Sequence, residues 1–387
     1  MMNKFYRQFC FMPLISVAAS LGLSAQVLLE DHTDITFSFS TANDEWEGEF
    51  RHGGTFDDPA TETAFDQASL PARDFPTPGG DRYAQPSSSS FDFTGIPDGE
   101  PLWILPQTDV GHTWPGFRND QTPGTFRAYN PGDSRVTTVP QPWVKIELHG
   151  VTYVGTAANP EFSLWQFQNG VVQWMATSVG IDVGDLFYLK ENAHAHLNFG
   201  FSALGIYRVA FKPSAILDST GETVEGAPEV VTFAIGTKAT WLASHYSGDD
   251  LSHESVSGDQ SDSDQDGIPL LLEYAFNLNP TLSDRKTLEP PTGTAGLPAT
   301  RLVSDGQHSA LRLEYIRRKA STNPQISYFA EFTSDLNSEA WVVQTAETVT
   351  SIDDTWEHVV VDDTVSTAVA DRRFGRVRIE MQDTISY

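Results

Sequence analysis

The stretch Leu28-Leu29-Glu30-Asp31-His32-Thr33-Asp34-Ile35-Thr36-Phe37-Ser38-Phe39 changes character at almost every step. His32, Asp34, Thr36 and Ser38 have one parity, and Ile35, Phe37 and Phe39 have the other. Side chains two apart on a strand point the same way, so this period of two predicts a half-buried strand with His32 and Asp34 on its polar side. The pattern recurs downstream. Phe162 to Phe167 and Val171 to Met175 flank Asn169-Gly170, a pair that tolerates the positive φ of a tight turn, and predict a hairpin. Trp143 to His149, Gly205 to Phe211 and Val230 to Ile235 read as further strands of one β domain over 27–237. Thr55 to Ser90, rich in Pro, Asp, Thr and Ser, reads as a long surface excursion that ends in a run of loop serines, Ser87 to Ser90.

With 387 residues the chain can bury a substantial core in two or three domains. Glycine (29) and proline (23) are plentiful and long 3.6-period stretches are missing, which favours an all-β fold. Toward the end, Leu311-Arg312-Leu313-Glu314-Tyr315 and Arg376-Val377-Arg378-Ile379-Glu380 alternate, and Ile326 to Phe332 is a more apolar strand. The expected architecture is a large β-sandwich, a spacer, and a small β-sandwich over 288–387. A net charge of −28 argues against nucleic acid and anionic membrane surfaces as partners. Residues 1–25 have the form of an export signal: Lys4 and Arg7, then an apolar run from Phe11 to Leu23, then Ser24-Ala25. A secreted or cell-surface protein with no membrane span in the mature chain is expected. Cys10, the single cysteine, lies inside this signal, so disulfides and thiolate ligands are not expected in the mature protein.

A second histidine-bearing segment, His194-Ala195-His196-Leu197-Asn198, repeats the logic of the first. As one strand it would carry His194, His196 and Asn198 on one face and Ala195, Leu197 and Phe199 on the other. Neutral imidazole is a common ligand for borderline metals. The expectation is a transition-metal site of His194, His196, His32 and Asp34, with Asn198 orienting a ligand from behind. Zinc is the first choice, with manganese, iron and copper left open. The competing reading is a set of histidines on a solvent-exposed sheet surface. His52, which shares the parity of Phe50, and His112, in a loop with Gly111, Pro115 and Gly116, are weaker candidates.

Residues 238–261 read as an acidic linker, most polar from 246 onward, and a different chemistry follows at 262–287. Asp262, Asp264, Asp266, Gly267, Ile268 and Glu273 fit a calcium loop. Alternating carboxylates converge on one ion, Gly267 allows the sharp turn, the Ile268 carbonyl adds a ligand, and Glu273 arrives on the following helix. Position nine is Leu270, which has no side-chain oxygen and should weaken the site. No helix is expected before the loop, which makes it a half-hand. Asp266-Gly267-Ile268-Pro269 with Glu273-Tyr274-Ala275-Phe276-Asn277 resembles the bacterial thrombospondin type 3-like repeats, which implies a structural calcium spacer between domains.

His194, His196, Asn198, Phe199, Gly205 and Tyr207, with the opening Asp31-His32-Thr33-Asp34 and the closing Val231 to Gly236, resemble the choice-of-anchor M domain and the related surface-anchored repeat domain of bacteria. Phe199 stands where that family usually has Trp. The resemblance implies an exported surface or extracellular module without assigned catalysis; its partner stays open, with cell-surface or matrix components as candidates. No nucleophile elbow, P-loop, dinucleotide fingerprint or H-E-x-x-H is present. The rival expectation is a secreted glycan-binding or glycan-active protein that uses Trp165, Trp174, Trp103 and Trp114 as stacking platforms.

Overall fold

A computed structural model describes residues 25–29, 32–53, 61–304, 306, 308–337, 340–370 and 372–382. The expected export signal and its Cys10 lie outside the described residues, apart from Ala25. The fold is an all-β sandwich architecture.

Three sheets share the first core. The largest runs in the order Gln26–Val27, Ala68–Ala72, Glu229–Ile235, Gly205–Ile216, Gln141–Val154, Leu186–Lys190, with Thr223–Glu225 and Ala128–Tyr129 paired at its margins. A second runs Val171–Ala176, Phe162–Phe167, Asn198–Phe201, Pro101–Leu105, Arg82–Ala84. The third runs Ala193–His196, Trp114–Asn119, His32–Ser40, Glu45–His52, Thr61–Ala64. Alternation explains why they stack. Ile35 and Phe37 from the third sheet, Phe199 and Phe201 from the second, and Phe211 and Phe233 from the first enter one buried cluster. Phe117 packs against both Phe199 and Phe211, with ring centroids 5.8 and 5.1 Å away. Each such ring contributes about 1.5–3 kcal/mol by leaving water.

The predicted hairpin forms with Phe167 opposite Val171, and Asn169 takes φ 54° in its turn. Two expectations are corrected. Residues 55–90 are not simply a surface excursion, because Ala68–Ala72 is a buried strand that pairs in parallel with Glu229–Ile235. Its residues, Ala68-Ser69-Leu70-Pro71-Ala72, are covered on both faces, so they show no alternation. Ser88 caps the 3-10 turn Ser89–Thr94 through Ser90 N. The second correction concerns His194 to Asn198, which do not form one strand. The chain changes sheets at Leu197: Ala193–His196 pairs with Trp114–Asn119, whereas Asn198–Phe201 pairs with Phe162–Phe167 and Pro101–Leu105.

The second core lies between the sheets Ala299–Ser304, Ser309–Arg318, Trp356–Ser366, Thr348–Ser351 and Val342–Val343, Ile326–Thr333, Phe374–Met381. Leu313, Tyr315, Phe332, Val359 and Val361 fill it. The segment joining the two cores is more ordered than its polarity suggests. It holds helix Thr237–Ala243, the 3-10 turn Gly248–Ser252 and the helical turn Glu254–Ser257, so a short helix does precede the acidic loop. Ala239, Leu242, Ala243, Tyr246 and Leu251 are the apolar residues that anchor it. Helix Leu270–Phe276 then bridges the cores: Leu270 packs with Ile206 and Ala234, and Tyr274 and Phe276 enter the second core.

Candidate metal sites

Strand Trp114–Asn119 lies between Ala193–His196 and His32–Ser40, and its register decides what meets what. Gly116 stands opposite both His196 and Asp34, Trp114 opposite His32, and Arg118 opposite His194. All of these point away from Ile35 and Phe117, onto the outer face of the sheet. One ligand-type atom each from His32, Asp34 and His196 lies within 4.8 Å of the others. His194 stands at the rim, its ring 5.8 Å from that of His196 and 6.1 Å from that of His32. A side chain at position 116 would close the gap: an added Cβ would sit 3.0 Å from the His196 ring and 2.9 Å from Ala195 O.

This face is not the open surface that the competing reading supposed. Asp34 is fully buried and His196 only 9% exposed. Burial pushes the His196 imidazole down to about 4, against the pull of Asp34, so the ring is neutral at physiological pH. The 3.0 Å contact of His196 Nδ1 with the Pro115 carbonyl requires the proton on Nδ1 and leaves Nε2 as the lone-pair nitrogen. Burial alone would raise Asp34. The hydrogen bond from His32 and the electrostatic pull of the His32, His196 and His194 imidazoles outweigh it, and the carboxyl sits below the ordinary range. Asp34 Oδ1 lies 3.3 Å from His32 Nε2, while Arg118 Nη1 holds Oδ2 at 3.4 Å. Such a set suits a borderline cation: imidazole nitrogens, an ionised carboxylate, and a guanidinium that fixes the second oxygen.

Three residues named from the sequence fall elsewhere. Asn198 lies in another sheet, where its Oδ1 accepts from Gln107 N at 2.9 Å and its Nδ2 donates to Trp165 O at 3.3 Å. It reaches the cluster only at third hand. The Gln107 carbonyl accepts from Trp114 Nε1 at 2.9 Å, and the Trp114 ring stacks on His196 at 3.9 Å. His52 is on the core side, 3.0 Å from Thr63 Oγ1, and His112 is buried 2.9 Å from Asp81 Oδ1. The residues missed were Trp114, Gly116 and Arg118. Their shared parity in Trp114-Pro115-Gly116-Phe117-Arg118 was the available signal.

The acidic loop is a second cluster. Asp262, Asp264 and Asp266 each bring an oxygen within 4.8 Å of the others. Backbone donors shape the turn: Asp266 N reaches Asp262 and Asp264 at 3.1 Å, Gly267 N reaches Asp262 at 3.0 Å, and Ile268 N reaches Asp266 at 2.9 Å. Gly267 takes φ 85°, where a Cβ would be strained. Glu273 is buried, and its Oε1 has no hydrogen-bond partner. Burial, then the charges of Asp264, Asp266, Asp284 and Asp262, push its carboxyl up to about 8. A buried, unpartnered carboxylate among four others is the environment that a divalent cation relieves, so these residues fit calcium. Asp284 joins this group from eleven residues beyond Glu273, a distance no loop pattern covers.

The tryptophans proposed as stacking platforms are mostly core residues: Trp165, Trp174 and Trp103 are buried. No model of a known protein family matches the chain, and no curated protein matches it.

Proposed function

We propose that this chain is a non-catalytic exported module of the cell surface or extracellular space, with a transition metal in its large sandwich and calcium in its spacer. The observation that carries the proposal is the convergence of His32, Asp34 and His196 within 4.8 Å across the gap left by Gly116. With His194 as the fourth ligand the set is closed, as structural zinc sites are, whereas catalytic zinc keeps an open position. Calcium on Asp262, Asp264, Asp266, Glu273 and the Ile268 carbonyl would hold the bridging helix Leu270–Phe276 between the two cores. The resemblance to choice-of-anchor M and thrombospondin type 3-like modules agrees with this division of labour.

Metal analysis of the full chain, purified without a histidine tag, tests the proposal. We expect about one zinc and one calcium per chain. His32→Ala/His196→Ala should remove the zinc alone, and Asp264→Ala/Glu273→Ala the calcium alone. Equal zinc in the parent and the histidine double variant overturns the transition-metal assignment.

A further inference from the structure

A cleft of about 430 Å³ opens where the two sandwiches meet, apart from both metal clusters. That volume falls in the range of about 300–1,000 Å³ typical of small-ligand sites, which favour domain junctions. Loops of the large sandwich contribute Ile96, Pro97, Asn159 and Leu204, and the small sandwich contributes Asn323, Gln325 and Gln382.

The small-sandwich wall is built with care. Asn323 and Gln325 both take positive φ, 44° and 60°, a costly conformation for side-chain-bearing residues that concentrates at ligand clamps. The bonds around them hold it. Tyr274 Oη donates to the Pro324 carbonyl at 2.9 Å, and Thr237 Oγ1 donates to Thr322 O at 2.5 Å. Asn323 Nδ2 donates to the Asp74 carbonyl of the opposite wall.

Charge narrows the ligand class. Among the described residues lining the cleft, Arg82 is the one cation, and it is bound to Asp74 at 3.2 Å. An anionic ligand would meet Asp74, Glu100 and Glu161 without a spare cation. A cationic ligand finds the two inner carboxylates already engaged, since Asp74 also accepts from Trp103 Nε1 at 2.9 Å and Glu161 accepts from Thr177 Oγ1 at 2.5 Å, and only the exposed Glu100 faces it. What remains is a set of primary amides beside an apolar wall: the whole Asn159 amide, Gln325 Nε2, whose Oε1 accepts from Lys238 N at 3.4 Å, and Gln382 Oε1, whose Nε2 donates to Ser327 Oγ at 2.9 Å. A hydroxyl is likewise donor and acceptor at once, and sugar rings carry apolar C–H faces.

We infer that this cleft binds a neutral oligosaccharide, with sugar C–H faces on Ile96, Pro97 and Leu204 and hydroxyls on the amides of Asn159, Gln325 and Gln382. The inference does not rest on either metal.

Titration calorimetry on the full chain tests it, with cellohexaose, xylohexaose, mannohexaose and the chitin hexamer as neutral probes. Hexagalacturonate and the chitosan hexamer supply the acidic and basic arms. At least one neutral probe should bind with Kd below about 1 mM. Asn159→Ala/Gln325→Gly should weaken it at least about tenfold. Asn159 is exposed, glycine accepts φ 60°, and the one bond lost, from Lys238 N to Gln325 Oε1, is long at 3.4 Å, so this variant should stay folded with a Tm within a few degrees of the parent. Absence of binding by every neutral probe, undiminished binding by the variant, or tighter binding of either charged probe overturns the inference.

Discussion

The histidine cluster and the acidic loop are assembled in opposite ways. Asp262, Asp264 and Asp266 are neighbours in sequence, and their own backbone N–H groups bend the turn around them. His32, Asp34 and His196 come from strands separated by most of the first domain and meet only because both flanking strands are in register with Gly116. One cluster is a local property of about a dozen residues, whereas the other depends on the whole sheet. Their electrostatics differ as well. The histidine cluster has its counter-charge built in, with Arg118 on Asp34. The acidic loop stacks like charges around a buried Glu273. A cation should therefore matter far more to the stability of the loop than to that of the sheet.

The largest expected effect follows from that contrast. Calcium at a hundredfold excess over Kd should stabilise the parent by about 2.7 kcal/mol. Thermal unfolding with and without a chelator reads this directly. Glu273→Gln should reverse the pattern: without calcium at neutral pH the variant should be at least as stable as the parent, because Glu273, pushed up to about 8, must take up a proton on folding that glutamine never needs, and calcium should add little. A variant that still gains as much from calcium as the parent would show that Glu273 is not a ligand.

Gly116→Ala probes the other region. The new Cβ meets Ala195 O at 2.9 Å and the His196 ring at 3.0 Å, on a strand held from both sides. Overpacking of this kind costs about 1–3 kcal/mol. Zinc affinity should fall about 10–100-fold as His196 is displaced, the range found when a supporting group is lost. The calcium response should not change. Zinc titration of the variant alongside the parent is the measurement, and equal affinities would mean that the gap over Gly116 is not part of the site.

Parity predicted the shared face of His32 and Asp34 correctly, because alternation on one strand needs no knowledge of its neighbours. It could not supply register, so Arg118 is not singled out and Gly116 reads as a loop residue beside His112, although both lie in strand Trp114–Asn119 with matching parity. It failed outright at Leu197, where the chain passes from one sheet to another and Asn198 leaves the face that His194 and His196 keep. The buried strand Ala68–Ala72 was invisible for a related reason, since residues covered on both sides do not alternate. The loop was legible to Glu273 because its spacing is local. Asp284 was not, because only the tertiary path of the chain brings it back.

The smallest expected effect tests that sheet switch. Asn198 is buried, and its amide ties Gln107 and the Trp165 carbonyl together, with bonds of 2.9 and 3.3 Å. Asn198→Ala strands Gln107 N and Trp165 O, and each buried group without a partner costs about 1–3 kcal/mol before relaxation. We expect a loss of about 1–2 kcal/mol in denaturant unfolding, at the lower end because the two strand edges can shift toward each other. Zinc should respond far less, since Asn198 touches the cluster only through Gln107 and the Trp114 ring over His196. A change of less than about tenfold, the lower bound for a true supporting ligand contact, is expected. Asn198→Asp keeps an acceptor for Gln107 N and should recover part of the stability while leaving zinc as in the alanine variant. If Asn198→Ala instead abolished zinc binding at unchanged stability, Asn198 would belong beside His194 and His196 on a single strand, and the change of sheet at Leu197 would be wrong.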